Sequence, residues 1–210
     1  MVNTQPTLRR REQLKAALAE AAERRIETAG LGSLRARALA DEVGCAVGAI
    51  YNVVKDLDDL VLLVNSRTLA ALERELGGAG RTVGSNASGA EDAIDRLVRM
   101  ALAYLDFAAA NTLRWRALFE HRMPKGQDVP DWYRKEQQRL FGYVEEVLRE
   151  LQMQASPKQR ALHARSLFSA VHGLVVLGLE EKLQRIPLPL LRQQMTFVVS
   201  TIGRGMMAGT

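Results

Sequence analysis

The chain has 210 residues and one cysteine, Cys45, so its stability must come from a buried core and not from an intramolecular disulfide. The longest apolar stretch, 173–179, is far shorter than the roughly 20 residues that span a bilayer, and no apolar segment follows the basic start as a secretory signal would require. We therefore expect a soluble protein of the reducing cytoplasm. The net charge of +5 is too small to establish a polyanionic partner, but residues 1–55 hold nine basic and only six acidic groups.

The spacing of apolar residues predicts an all-α fold of about nine helices. Residues 8–28 form a first amphipathic helix that Gly30 ends, and residues 35–43 form a second that Gly44 ends. A short third helix covers 46–53. Further helices are predicted at 56–76, 91–110, 111–121 after a kink, 131–151, 156–184 behind a Ser156/Gln159 capping box, and 187–205, with loops at 77–89 and 124–130.

Residues 34–56 have the pattern of a helix-turn-helix, the unit that lays its second helix in the major groove of DNA. Ala40 is small where the two helices are expected to cross, and Gly44 permits a left-handed turn between them. Ile50 and Val54 have the spacing of core residues. An ordinary helical hairpin would share part of this pattern, so spacing alone leaves both interpretations open.

Residues 10–76 resemble the DNA-binding end of the TetR family of repressors. The matching elements are ArgAlaLeuAlaAspGluValGly at 37–44, AlaIleTyr at 49–51 and AspLeuAspAspLeu at 56–60. Residues 170–175 are similar to a Trp-His-Gly sequence in one branch of the family, with Val171 in the place of the tryptophan. The chain departs from the family at Val54, where phenylalanine is usual, and at Leu57, where a phosphate-binding lysine is frequent.

The resemblance implies a sequence-specific transcriptional regulator that binds a double-stranded DNA operator. The positions it implies for DNA contact are Arg35, Arg37, Ala46, Val47, Gly48, Ala49, Tyr51, Asn52 and Lys55. Arg37 has the chemistry for a bidentate contact to guanine, and Asn52 for adenine or phosphate. The alternatives are a solvated helix face for Arg35 and Arg37, and packing against the fourth helix for Tyr51.

Backbone contacts to DNA are expected from two further places. Lys55 is a nearby substitute for the missing family lysine, and the basic residues 9–11 are expected to follow the phosphates as a flexible arm.

We place the domain boundary after Asp56, which gives a DNA-binding domain at 1–56 and an effector-binding and dimerisation domain at 57–210. Most aromatic residues lie beyond residue 100, where several helices could enclose an apolar pocket for a small molecule. The candidate pocket residues are Tyr104, Phe107, Trp115, Phe119 and His172. Each aromatic residue could instead be core, and His172 could be a buried histidine hydrogen-bonded within the bundle.

Wide apolar faces on the last two helices predict a homodimer in which they form a four-helix interface with their twofold copies. Gly173 and Gly178 would allow the subunits to approach closely. Two DNA-binding heads about 34 Å apart, or a multiple of that distance, would then bind a palindrome. The resemblance implies repression, with a small-molecule effector that releases the operator. The alternative for these helical faces is that they form only the core of one subunit.

Other classes of function have less support from the sequence. We find no phosphate-binding glycine loop, no nucleophile elbow and no pair of histidines spaced for metal, so we expect no enzyme activity, no metal and no cofactor. A helical adaptor or a membrane-surface protein without operator specificity is the alternative function. Cys45 lies in the expected DNA-reading turn, where it is either a redox switch or simply a small buried side chain.

Overall fold

The computed structural model describes residues 4–81, 89–179 and 186–208, and within these ranges it contains α-helices and no strand, which confirms the all-α prediction. A single turn of 3-10 helix, Leu31–Ser33, follows the first helix. The helices are α1 (Thr4–Ala29), α2 (Ala36–Val43), α3 (Val47–Ile50), α4 (Leu57–Ala79), α5 (Ala90–Ala110), α6 (Thr112–Glu120), α7 (Asp131–Leu151), α8 (Pro157–Leu179) and α9 (Leu188–Ala208).

The chain divides into two compact units. Unit 1 comprises Met1–Ala70 and Asn111–Arg134, and unit 2 comprises Ala71–Ala110 and Lys135–Thr210. The boundary expected after Asp56 falls inside unit 1, because the first turns of α4 supply buried side chains to its core. The assignment of functions to residues 1–56 and 57–210 stays a prediction.

The core of unit 1 follows from the spacing of apolar residues in α1. Leu18, Ala22 and Ile26 recur every four residues and are fully buried. Ala40, the small residue expected where the two helices of the helix-turn-helix cross, is 1% exposed, and Ile50 is fully buried. Buried residues of the remaining elements complete this core: Leu34, Leu39, Val53, Val54, Leu60, Val61, Val64 and Ala117.

Two glycines with positive φ end helices, as the sequence predicts. Gly30 has φ 74° and ψ 176° after α1, and Gly44 has φ 73° and ψ 40°, the left-handed helical conformation, after α2. A side chain at either position would be strained, since L-residues rarely adopt positive φ. The turn after α1 and the turn between α2 and α3 therefore both depend on glycine.

The third helix is shorter than the predicted 46–53. Regular helix covers Val47–Ile50, and residues 51–53 continue as turns, in which the N–H groups of Asn52 and Val53 donate to carbonyls three residues earlier. Ala46 stands at the N-cap in extended conformation and offers no side-chain acceptor. Because Gly48 is also a poor helix former, local propensity does not support a longer helix.

Side chains cap the starts of two further helices, and the second of these caps is the predicted one. The Asp56 carboxylate accepts the Asp59 N–H at 2.9 Å, and Ser156 and Gln159 exchange hydrogen bonds of 2.9 and 3.3 Å as a capping box. The break between α5 and α6 falls at Asn111, where a kink is predicted. The expected end of α8 near residue 184, like most of the loop at 77–89, lies outside the described residues.

The prediction that residues 9–11 form a flexible arm is wrong. Arg9, Arg10 and Arg11 lie within α1, which begins at Thr4, and their side chains are exposed on that helix. The segment LeuArgArgArgGluGln consists of good helix formers, so the helix extends through it.

Unit 2 is built around α5, α8 and α9. Its core includes Ile94, Leu105, Leu191, Met195 and Val199, each at most 1% exposed. By length and composition alone, helix α8 could cross a membrane, and 28% of the 18-residue stretch that meets this criterion is buried in the protein. One such helix is weak evidence for a membrane, because core helices of bundles pass the same test.

Candidate nucleic-acid interface and ligand site

The residues implied for DNA contact form an exposed surface on unit 1. Ala49 is half-buried, and the others are exposed: Arg35, Arg37, Ala46, Val47, Gly48, Tyr51, Asn52 and Lys55. Tyr51 is 51% exposed, so it does not use its ring to fill the core beside α4. Ile50 and Val54, by contrast, are buried and attach this segment to the core of unit 1.

The two arginines at the start of α2 differ in what they bind. The Arg35 Nη1 atom donates to the carbonyls of Gly32 and Leu34 at 2.8 and 2.7 Å, which holds the side chain against the preceding turn. Arg37 has no hydrogen bond or ion pair within the described part of the chain. Its guanidinium therefore has all its donors available to an external acceptor.

The exposed side of α3 carries small side chains, so its backbone lies close to the protein surface. A Cβ placed on Gly48 would meet nothing within 4 Å, so packing inside the protein does not require glycine here. Val47 is 40% exposed and Ala46 is exposed, and neither can donate a hydrogen bond. Such a surface suits close approach by a partner and apolar contact with thymine methyl groups.

Lys55 is fixed at its backbone and loosely held at its ammonium group. Its N–H donates to Asp59 Oδ2 at 2.9 Å, which ties it to the first turn of α4. Its Nζ atom donates to the neutral Gln127 amide at 3.1 Å. The charge of Lys55 is therefore not neutralised by a carboxylate.

Ion pairs fix α2 on α1 behind this surface. Glu42 of α2 accepts from Arg24 Nη2 at 3.0 Å and from Arg25 Nε at 2.8 Å. Desolvation acts to raise the pKa of Glu42, but the hydrogen bonds and charges of the two arginines outweigh it and lower the pKa. The Arg25 Nη2 atom also donates to the Ala38 carbonyl at 3.3 Å. These contacts fix the direction in which α2 presents Arg37.

Helix α6 is joined to α1 by charged groups that sequence analysis missed. Arg114 contacts Glu23 at 3.0 Å and Glu27 at 2.9 Å, and Arg67 of α4 contacts Glu23 at 2.7 Å. His121, at the end of α6, lies 2.8 Å from Asp58. No local signal could reveal these pairs, because their members are far apart in sequence.

The five candidate pocket residues do not fall in one unit. Tyr104, Phe107 and His172 belong to unit 2, whereas Trp115 and Phe119 belong to unit 1, where their ring centroids lie 5.4 Å apart. Trp115 is 2% exposed, as a core residue would be, and Phe119 is 40% exposed.

Tyr104 and His172 meet in an aromatic cluster of unit 2. The Tyr104 hydroxyl lies 2.8 Å from His172 Nδ1, which is the hydrogen-bonded histidine considered as the alternative to a ligand contact. Phe168, which sequence analysis missed, stacks on His172 with centroids 5.4 Å apart and contacts Tyr104 and Phe141 edge-on. Burial lowers the pKa of His172 and so favours its neutral form.

Helices α8 and α9 have both inward and outward apolar residues. Leu167, Val171, Val175, Leu191, Met195 and Val199 are buried within unit 2. Five others are 40–64% exposed: Leu162, Leu177, Leu188, Leu190 and Phe197. A Cβ on Gly178 would lie 2.5 Å from the Leu191 side chain, so this glycine allows close approach within the subunit, whereas Gly173 faces open space.

Cys45 is half-buried and packs against the core of unit 1. This is the environment expected of a small apolar side chain.

Comparison with known proteins extends the resemblance to the second half of the chain. Residues 97–198 match a family model described as the tetracyclin repressor-like C-terminal domain. No curated protein sequence matches. A protein of unknown function from Rhodococcus sp. RHA1 is similar in structure, with 22% identity, coverage of 91% of this chain and 94% of that chain, and a TM-score of 0.71.

Two further solved structures have the same fold. A TetR-family transcriptional regulator from Streptomyces coelicolor has 16% identity over 95% of this chain and 84% of that chain, with a TM-score of 0.66. The multidrug binding protein EbrR, complexed with imidazole, has 15% identity over 90% of this chain and 93% of that chain, with a TM-score of 0.60.

Proposed function

We propose that the chain is a DNA-binding transcriptional regulator of the TetR family that represses from a palindromic operator, and the match of residues 97–198 to the tetracyclin repressor-like C-terminal domain and the shared fold support this proposal. The observation that carries the proposal is the exposed side chain of Arg37, which no described residue pairs, beside the apolar surface of small residues on α3. An arginine with free donors in this position can read guanine, while Ala46 and Val47 contact thymine methyl groups. Tyr51, Asn52 and Lys55 bind the phosphate backbone or flanking bases.

The effector site lies in residues 57–210 and uses the cluster of Tyr104 and His172. Its rings offer an apolar surface, and the neutral imidazole offers a hydrogen-bonding edge without a charge. A small molecule bound there must prefer the subunit arrangement that does not fit DNA, because an effector shifts an equilibrium only by its differential affinity. Similarity to a structure named as a multidrug binding protein supports a ligand site in this fold.

Two copies of the chain form the functional unit through α8 and α9. The five exposed apolar side chains of these helices would be covered in a homodimer, and Gly173 leaves room for close approach. A dimer presents two heads to two half-sites, which raises both affinity and sequence specificity.

The test is selection of an operator from random duplexes, followed by affinity measurements on the selected sequence. We expect Arg37→Ala to weaken binding about 5- to 150-fold and to relax base preference at one position in each half-site. Arg74→Ala is the matched control, because Arg74 is an exposed arginine of α4 outside the surface. Equal affinity and preference in wild type and Arg37→Ala would remove Arg37 from the readout.

Salt dependence and competitor choice separate this function from a membrane-surface protein. A DNA-binding regulator should retain preference for the selected palindrome over random DNA and over anionic vesicles as salt is raised. Equal binding to all three would contradict operator specificity and favour the alternative.

A further inference from the structure

Unit 1 contains a cleft of about 470 Å³ that shares Tyr51, Asn52 and Lys55 with the proposed DNA-contacting surface and extends beyond it to Trp132. It is lined by α1, by the turn after α3, and by the first residues of α4 and α7. This volume falls in the range of small-molecule sites. All lining residues belong to unit 1, so the cleft is separate from the cluster around His172 in unit 2.

The charge of the cleft is positive. Arg11, Lys15 and Lys55 line it, and Asp59 is its only acidic lining residue. No carboxylate lies within ion-pair distance of any of the three cations in the described chain, and one oxygen of Asp59 already accepts the Lys55 N–H. The cleft therefore favours an anion, whose charge these side chains would neutralise.

The other lining groups are apolar or aromatic. Tyr51 and Trp132 border the cleft while 51% and 42% exposed, respectively, which leaves large ring surfaces in contact with water. Val53 and Val54 also line it and are buried. A flat apolar body would remove this ring surface from water, which a bare inorganic anion would not do.

We propose that this cleft binds a small apolar carboxylate, with its ring or alkyl body against Trp132 and Tyr51 and its charge toward Arg11, Lys15 and Lys55. Because Tyr51 and Lys55 are also placed on the DNA-contacting surface, the bound carboxylate excludes DNA directly. This exclusion rests on the proposed function, whereas binding to the cleft does not. The regulator would then respond to an anion at its head independently of any effector in unit 2.

Binding is tested on the full-length protein labelled with 5-fluorotryptophan, which has two residues to report, Trp115 and Trp132. The Trp132→Phe variant assigns the two fluorine resonances. Titration with 2-naphthoate should shift the Trp132 resonance saturably, while the Trp115 resonance, from a residue that is 2% exposed, should stay in place. Naphthalene-2-carboxamide, which has the same body without the charge, and inorganic phosphate, which lacks the body, should bind more weakly.

Variants of α1 test the charge. Lys15→Gln should weaken 2-naphthoate binding about two- to fivefold, as expected for a partly exposed ion pair. Arg10→Gln removes the same charge from an exposed α1 residue that does not line the cleft, and should leave the affinity unchanged. An unmoved Trp132 resonance, equal affinity for the carboxamide, or equal effects of the two variants would overturn the site.

Competition is measured separately. Saturating 2-naphthoate should displace a bound operator duplex, and Lys15→Gln should raise the concentration required. Simultaneous binding of duplex and 2-naphthoate would overturn the exclusion. If the protein binds no DNA but 2-naphthoate still shifts Trp132, the proposed function fails and the carboxylate site stands.

Discussion

Arg35 and Arg37 show how the position of a residue relative to a helix end decides what its side chain can do. Arg35 is the N-cap of α2 with φ −141°, and its side chain turns back to two carbonyls of the preceding turn. Arg37 is inside the helix, and its side chain has no acceptor among the described residues. The sequence predicts DNA contact for both residues and a guanine contact for Arg37, but it could not show that the Arg35 side chain is held by the protein itself, because that depends on where the helix begins.

His172 makes the stability of unit 2 depend on pH. Burial lowers its pKa in the folded protein, whereas the unfolded chain protonates near the ordinary value of 6.5. The corresponding stabilisation is present in full above pH 6.5 and is lost as pH falls toward the lower folded pKa.

We therefore expect His172→Gln to lose less stability than wild type between pH 7.5 and 5.5, measured by urea unfolding. Parallel pH curves for wild type and His172→Gln would show that another group causes the loss.

At the scale of helices, periodicity and caps predicted most of the architecture. Helix α1, the two glycine ends and the Ser156/Gln159 box each follow from contacts within a few residues, which is why a single sequence reveals them. The predicted helix at 46–53 is too long because local propensity supports only one turn there, and burial of Ile50 and Val54 in the core of unit 1 holds the segment in place. Neighbours distant in sequence decide such a segment.

The sequence predicts one role for Gly173 and Gly178, close approach of two subunits, but the two glycines have different surroundings. Five residues apart on a helix, they are rotated by about 140° and cannot face the same neighbour. Gly178→Ala would place a Cβ 2.5 Å from Leu191, which is fully buried, so we expect the free energy of unfolding to fall by about 1–2 kcal/mol despite the better helix propensity of alanine.

Gly173→Ala is the matched control for that substitution. Its Cβ would enter open space, so the stability of the subunit should be unchanged or slightly higher in urea unfolding. Equal destabilisation by both variants would contradict the assignment of Gly178 to the α8–α9 contact.

For the whole molecule, the exposed apolar side chains of α8 and α9 lead to a prediction about assembly. Phe197 is 64% exposed and contributes little to the core of its own subunit. If it lies in the dimer interface, Phe197→Asp should raise the dimer dissociation constant by more than about thirtyfold, measured by sedimentation, and should weaken operator binding with it.

Met153→Asp is the control variant for the measurement of the dimer dissociation constant. Met153 is 81% exposed, but it lies between α7 and α8 and not on the proposed interface. A dimer as stable in Phe197→Asp as in Met153→Asp would place the interface elsewhere.

The route of the backbone has a practical consequence for dissecting this protein. The chain passes between its two units after Ala70, after Ala110 and again after Arg134, so neither unit is a continuous segment. A fragment that stops at Asp56 would lack Leu60, Val64 and Ala117, all of which are fully buried in unit 1. Its remaining apolar surface would be left in water. A chimera that joins residues 1–56 of this chain to the remainder of another regulator should therefore be insoluble. Transfer of only the exposed side chains of α2 and α3 should preserve folding.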